Sequence, residues 1–276
     1  MSVTPNNNEP DLSPEAVLAR ATAARGDIFP EWKTLVYASP KTYHLINQTV
    51  SYLHQYHGQM AGAGQLTVQM RELIAIPALC SKGDLRHAPN HIRRMYREGL
   101  TNKALFEGAT AFASVAGWAS LTYVSLAIEQ ANSADYPFGK LPPGGEPGEL
   151  KPFPEMSQGR VRVDGGVPGS LADSEEWRYA KDIDAELVKR ASAFIDHCTG
   201  ADDTQGNILG PGPRALIIVA ALCMRGEVDL AVDQIRRAYD YGMTRRQVLE
   251  AICCVVPMSG MVSATLGLRA MRQAER

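Results

Sequence analysis

The amino-acid sequence predicts an all-α protein, and three observations carry that prediction. Apolar residues recur at helical spacing: Leu73, Ile76, Leu79 and Cys80 share one stripe of Leu66–Lys82. The chain repeats itself at an offset of 143 residues, so that Arg71 falls on Arg214 and Cys80 on Cys223. No segment combines the period-two alternation and turn residues of a sheet protein.

The repeat is long and ungapped. RELIAIPALC at 71–80 meets RALIIVAALC at 214–223, and HIRRMYREGLT at 91–101 meets QIRRAYDYGMT at 234–244. From Arg71 to Thr122, 18 of 52 aligned pairs are identical, well above chance. Two copies do not make a solenoid, which needs three or more short repeats, so the sequence predicts two related lobes.

The elements follow in chain order. Pro40–Tyr56 reads as an outer helix of the first lobe. Leu66–Lys82 is the next helix, and Pro77 within it is expected to kink it. A further helix starts near Pro89, a residue tolerated in a first turn, runs through Ile92, Met95 and Tyr96, and stops at Gly99 in a left-handed cap. Thr101 starts another. Ala104–Gln130 is apolar enough for a long central helix. Asp184–Cys198 supplies the outer helix of the second lobe, and Gln247–Met271 its central helix. Thr244 and Gln247 there have the spacing of a capping box.

Between the lobes lies a stretch that resists regular structure. Residues 132–173 hold seven of the 17 prolines, together with eight glycines. Proline removes a backbone donor and glycine costs entropy, so no long helix fits. The segment is either a linker or an arm that wraps the other lobe or a neighbouring subunit, with Arg160–Val163 as a short strand. The expected organisation is a first helical unit over 1–131, a Pro/Gly-rich linker over 132–173, and a second helical unit over 174–276.

Composition narrows the function. Apolar residues are 45% and charged residues 21%, which excludes disorder, a collagen-like chain and a coiled-coil rod. A net charge of -2 supplies no basic field for nucleic acid or an anionic membrane. No apolar run is long enough to span a bilayer, and the polar start, Met1–Pro10, has no signal-peptide core. We therefore expect a cytoplasmic protein without nucleic-acid or membrane partners. Five cysteines, with no C-x-x-C pair, read as buried reduced thiols rather than a disulfide framework.

The segments RGDIFPEWKTLVYASPKTYHLI, LTVQMRELIAIPALC and HIRRMYREGLTNKALFEGA resemble the carboxymuconolactone decarboxylase and alkyl hydroperoxidase D-like superfamily. LGPGPRALIIVAALCMRGEVDLAVDQIRRAYDYGMTRRQVLEAI resembles the decarboxylase branch again. The resemblance implies two tandem helical bundle units forming a pseudo-dimer, assembled further into a homo-oligomer, a dimer to trimer of tandem chains. It also implies a lyase of aromatic-compound catabolism. The hydroperoxidase branch carries a Glu, a C-x-x-C and a His four residues beyond the second Cys. These positions fall here on Glu72, Asp84, His87 and His91. In the second lobe they are Ala215, Glu227, Leu230 and Gln234. The first lobe keeps a carboxylate and an imidazole but neither thiol, which argues against thiol peroxidase or disulfide reductase chemistry. The second lobe keeps no acid/base pair.

The resemblance to the decarboxylase branch implies proton transfer beside a carboxylate or lactone, assisted by a histidine and without a cofactor. His91 matches, since imidazole exchanges protons near neutral pH. Glu72 would orient it, with His87 as a second polar group. Arg86, present only in the first lobe (Asp229 replaces it), is the candidate contact for a substrate carboxylate. Arg93 and Arg94 recur as Arg236 and Arg237 in the degenerate lobe, which favours a structural or interface role for them. Trp118 and Tyr123, which replace Met261 and Leu266, would wall a flat ring, or simply pack in the core. The expected partner is a small organic acid or lactone.

Two other readings stay open. His87 and His91 are four residues apart on one helical face, and with Glu72 they would hold a divalent metal in a hydrolase or oxygenase. Alternatively, the chain is a non-catalytic binding or scaffold protein. His54 and His57, three apart on the outer helix, read as solvated.

Overall fold

A computed structural model describes residues 10–25, 28–54, 66–137, 139–140, 147–159, 174–200 and 206–276. Among these the regular structure is entirely helical, with fourteen α-helices and one 3-10 turn, Pro154–Ser157. The expected strand at Arg160–Val163 lies outside the described residues, as do His57 and the side chain of His54. No helix among the described residues is long and apolar enough to cross a membrane.

The chain separates into two compact units, Met1–Ala63 and Gly64–Arg276. The first contains α1 (Pro14–Arg25), α2 (Pro30–Ala38) and α3 (Pro40–His54), of which only α3 is legible in the periodicity. Val17, Ala21, Ile28, Val36 and Tyr43 form its core, with the Trp32 and Tyr43 rings 5.7 Å apart.

The second unit holds both copies of the repeat. The first copy is α4 (Val68–Ser81), α5 (Ala88–Arg97), α6 (Asn102–Ala116) and α7 (Ala119–Asn132). After α8 (Glu175–Ile183) and α9 (Ala185–Thr199), the second copy is α10 (Pro211–Arg225), α11 (Val228–Asp240), α12 (Arg245–Cys254), α13 (Val256–Ser259) and α14 (Met261–Ala274). Buried side chains of both copies, among them Leu73, Ile92, Phe112, Ile217, Ile235 and Ile252, belong to one continuous core.

Local chemistry sets the helix ends. The Thr67 hydroxyl accepts the Met70 N–H at the start of α4, and Thr101 accepts Ala104 N–H at the start of α6. Thr244 and Gln247 form the expected capping box on α12. Pro89 lies in the first turn of α5, and Pro77 is accommodated inside α4. Gly99 follows α5 with φ +79°, as a left-handed cap requires.

The two long central helices are the correction to the periodicity reading. Ala104–Gln130 breaks at Gly117, and Gln247–Met271 breaks at Gly260 after the short α13. These two glycines occupy equivalent positions at φ +93° and +79°, a backbone region that L side chains rarely adopt. Apolar content ran straight through both breaks and hid them.

The repeats are joined by reciprocal buried ion pairs. Arg71 on α4 meets Glu250 on α12 at 2.5 Å, and Arg214 on α10 meets Glu107 on α6 at 2.9 Å. Arg71 is equivalent to Arg214, and Glu107 to Glu250, so the two pairs exchange partners between copies. The backbone contacts repeat as well. Glu250 also accepts the Leu66 N–H, and Glu107 accepts the N–H of the equivalent Leu209.

Within the inter-repeat segment, residues 147–159 form an arm pinned to both copies. The Lys151 N–H donates to the Gly99 carbonyl, and buried Glu155 accepts the Thr67 N–H and hydroxyl at the start of α4. On the other copy, the N–H groups of Gly210 and Gly212 donate to the carbonyls of Met156 and Gln158 at the start of α10. The arm thus satisfies backbone donors that both helix starts leave unpaired.

Candidate active site

The candidate site forms where α4 and α5 pack. Glu72 projects from the middle of α4 and is 0% exposed. A carboxylate removed from water to that degree requires compensation by charge and hydrogen bonds. It has both from α5. His91 Nδ1 lies 2.7 Å from Glu72 Oε2, and Arg94 Nη1 donates to Oε1 at 2.8 Å. His91 and Arg94 are three residues apart and therefore lie on one face of α5. The imidazole is mostly enclosed, with 12% of its side-chain surface exposed.

A second carboxylate–imidazole pair lies one turn earlier. His87, at the start of α5, has Nδ1 2.9 Å from Asp84 Oδ2 and 3.0 Å from Oδ1. Asp84 also accepts the backbone N–H groups of Arg86 and His87. Partial burial pushes the Asp84 carboxyl up, but hydrogen bonds from the His87 imidazole and from both backbone groups, with the His87 charge, outweigh it. The net position is below the ordinary carboxylate range. His87 therefore engages a different carboxylate from His91. Among the described residues no three His, Cys, Asp or Glu side chains are grouped to hold a metal ion.

The remaining candidates are scattered. The Arg86 side chain is exposed, while its carbonyl accepts the Tyr136 hydroxyl at 3.1 Å. Burial pushes that phenol up to about 12, despite the nearby Arg93 and Arg86 charges. Tyr123 is partly exposed and lies near Gly83, in the turn between α4 and α5. Trp118, in the break before α7, is 70% exposed and meets Phe194 of α9 edge-on at 5.7 Å, so it is not a core residue.

Arg93 and Arg94 divide in role although both recur in the second copy. Arg93 ties down the end of α7 through the carbonyls of Ala131, Ser133 and Gly139, with its guanidinium 4.5 Å over the Tyr136 ring. That is the structural role its recurrence predicts, and Arg236 reaches the equivalent helix end at the Gln273 carbonyl. Arg94 is the residue that sequence reasoning missed, because its recurrence as Arg237 hid a partner present in one copy alone. The available signal was its spacing of three from His91.

The second copy acts as an internal control. It has the same order of helices, with Ala215, Glu227, Leu230 and Gln234 at the positions of Glu72, Asp84, His87 and His91. Both carboxylate–imidazole pairs are gone together, yet the helices form. The fold therefore has no general need of either pair.

The thiols are placed for packing. Burial pushes Cys80, Cys223 and Cys254 up to about 12 and raises Cys253 as well, so these sulfurs stay protonated at neutral pH. Compared with known proteins, the chain matches no protein-family model and no curated protein.

Proposed function

We propose that the protein is a cofactor-independent lyase of the carboxymuconolactone decarboxylase type, acting on a small carboxylated or lactone substrate, with His91 as the general acid/base. The observation that carries this reading is the His91–Glu72 pair, buried beneath α5 and present in only one of two copies that share a fold. A buried carboxylate bonded to an imidazole is a costly way to stabilise a helix contact. The second copy avoids that cost with Ala215 and Gln234.

The geometry suits proton transfer. A hydrogen bond from Nδ1–H to ionised Glu72 fixes the imidazole tautomer and leaves Nε2 as the basic atom. Glu72 also stabilises the imidazolium that forms when Nε2 takes a proton. In a decarboxylation, the electron pair of the breaking C–C bond moves into an adjacent unsaturated carbonyl. The His91 imidazolium then returns a proton to carbon as carbon dioxide leaves. His87, oriented by Asp84, supplies a second polar group one helical turn away. Arg86 is the cation nearest these groups in sequence for a substrate carboxylate.

The test is turnover of a panel of unsaturated γ-lactone carboxylates and related ring-cleavage acids, followed by carbon dioxide release and loss of ultraviolet absorbance. For an accepted substrate, His91→Ala is expected to lose about 10²- to 10⁴-fold in kcat, the usual contribution of a positioned acid/base. Gln234→Ala, the equivalent change in the other copy, should leave turnover intact. Full activity of His91→Ala refutes the assignment.

A further inference from the structure

We propose that Arg94 is the positioning residue that decides whether Nε2 of His91 is basic, by holding the Glu72–His91 pair one proton short at neutral pH. The inference rests on His91 acting as the acid/base, and it is carried by the shared carboxylate. Glu72 presents Oε1 to Arg94 at 2.8 Å and Oε2 to His91 at 2.7 Å, so one buried carboxylate joins both side chains of α5.

The argument is a count of charge. Guanidinium, carboxylate and neutral imidazole sum to zero, so the buried group carries no net charge while Nε2 has no hydrogen. Without the guanidinium, carboxylate plus neutral imidazole carries a net negative charge in a site where Glu72 has no exposed surface. The pair then takes up one proton to become neutral. That proton has two places to go. Either the imidazole becomes imidazolium beside the carboxylate, or Glu72 is protonated and donates to Nδ1 while Nε2 takes the hydrogen. Both forms have a hydrogen on Nε2, and neither leaves it a base.

Among the described residues, the other ionisable neighbours are placed differently from Arg94. Arg97, further along α5, is exposed; its guanidinium is lowered first by desolvation and then by the Arg94 charge, against the opposing charges of Glu98 and Glu72, so it adds to Glu72 only a charge screened by solvent. Cys254, on α12 packed against α4, feels Glu72 but stays a neutral thiol. Arg71 is adjacent in sequence but is committed to Glu250. In the second copy the Arg94 equivalent is Arg237, and the position of the carboxylate is taken by Ala215.

The experiment is long-range ¹H–¹⁵N correlation of ¹⁵N-histidine-labelled full-length protein at neutral pH, with His91 assigned by loss of its signals in His91→Gln. The protein has six histidines, few enough to resolve. In the unsubstituted protein His91 should show an unprotonated Nε2 and a hydrogen on Nδ1. Arg94→Gln, which keeps a donor but removes the charge, should reverse the Nε2 population at least about tenfold toward the protonated form. Arg94→Lys should restore the original pattern, and Arg237→Gln should leave it unchanged. A folded Arg94→Gln protein with the original His91 signals overturns the inference, as does a protonated Nε2 in the unsubstituted protein. If Arg94→Gln does not fold, Arg94→Lys decides: a charge-preserving variant that loses the Nδ1–H pattern also overturns it. These signals do not depend on turnover. A reversed pattern with full turnover would refute His91 as the acid/base while leaving the role of Arg94 in place.

Discussion

Replacing Glu107 by Gln would remove a charged partner of the Arg214 guanidinium in the core. Arg214 has no exposed side-chain surface, and it also donates to the carbonyls of Leu209 at 3.1 Å, His197 at 3.1 Å and Cys198 at 3.5 Å. The Glu107 carboxylate accepts Arg214 Nη2 at 2.9 Å, the Leu209 N–H at 2.8 Å and the Ile208 N–H at 2.9 Å. An amide of the same shape offers one acceptor oxygen and turns an N–H₂ group toward a donor. Loss of the charge-assisted bond is worth about 1.5–3 kcal/mol. Breaking a buried ion pair from one side costs about 3–5 kcal/mol in total, a large share of the ordinary stability of a domain. Urea unfolding followed by tryptophan fluorescence measures it. A Trp32→Phe background leaves Trp118 and Trp177, so the signal reports residues 64–276 and not the other compact unit. Glu250→Gln should cost a comparable amount, because it breaks the equivalent pair. Glu186→Gln, on the exposed pair with Arg190 at 2.8 Å, should change stability by under about 1 kcal/mol. A loss below about 1 kcal/mol for Glu107→Gln would refute the view that these pairs hold the copies together.

Other expectations are simpler to state. The Asp84 carboxyl is depressed in the folded protein, so its contribution to stability is complete above the unfolded value of about 3.9 and is lost as pH falls through the folded one. Asp84→Asn should therefore flatten the fall in urea midpoint between about pH 5 and pH 2. Thr244→Ala removes half of the capping box on α12 and should cost about 1 kcal/mol by urea unfolding. Cys80, Cys223 and Cys254 should react with an aromatic disulfide reagent only after denaturant is added, because burial holds their thiols near 12. Rapid reaction of all three in the native protein would contradict that placement.

Much of the structure is legible in the sequence because it is local. Thr101, Thr244 and Gly99 mark helix ends through hydrogen bonds and backbone angles that span a few residues. The 143-residue offset identifies equivalent helices before any packing is known, and the replacement of Glu72, His87 and His91 by Ala215, Leu230 and Gln234 in one copy points to the candidate site in the other. The expectation that Glu72 would orient His91 comes from the family resemblance, and in the structure His91 Nδ1 and Glu72 Oε2 are 2.7 Å apart. The breaks at Gly117 and Gly260 were harder to read, since a glycine inside an apolar stretch is compatible with either a helix or a turn.

What only the tertiary structure decides is the pairing of charges far apart in the chain. Nothing local distinguishes Arg93, which anchors the end of α7, from Arg94, which holds the carboxylate of Glu72. Nothing local says that Arg71, next to Glu72 in sequence, should pair with Glu250 across the repeats. Successive residues on a helix point about 100° apart, so a neighbour in sequence faces away while a residue on another element faces in. The sequence determined two helical copies and which of them carries the imidazoles. Helix packing determined which buried carboxylate each arginine meets, because a charge removed from water must take its partner from whatever element the fold brings beside it.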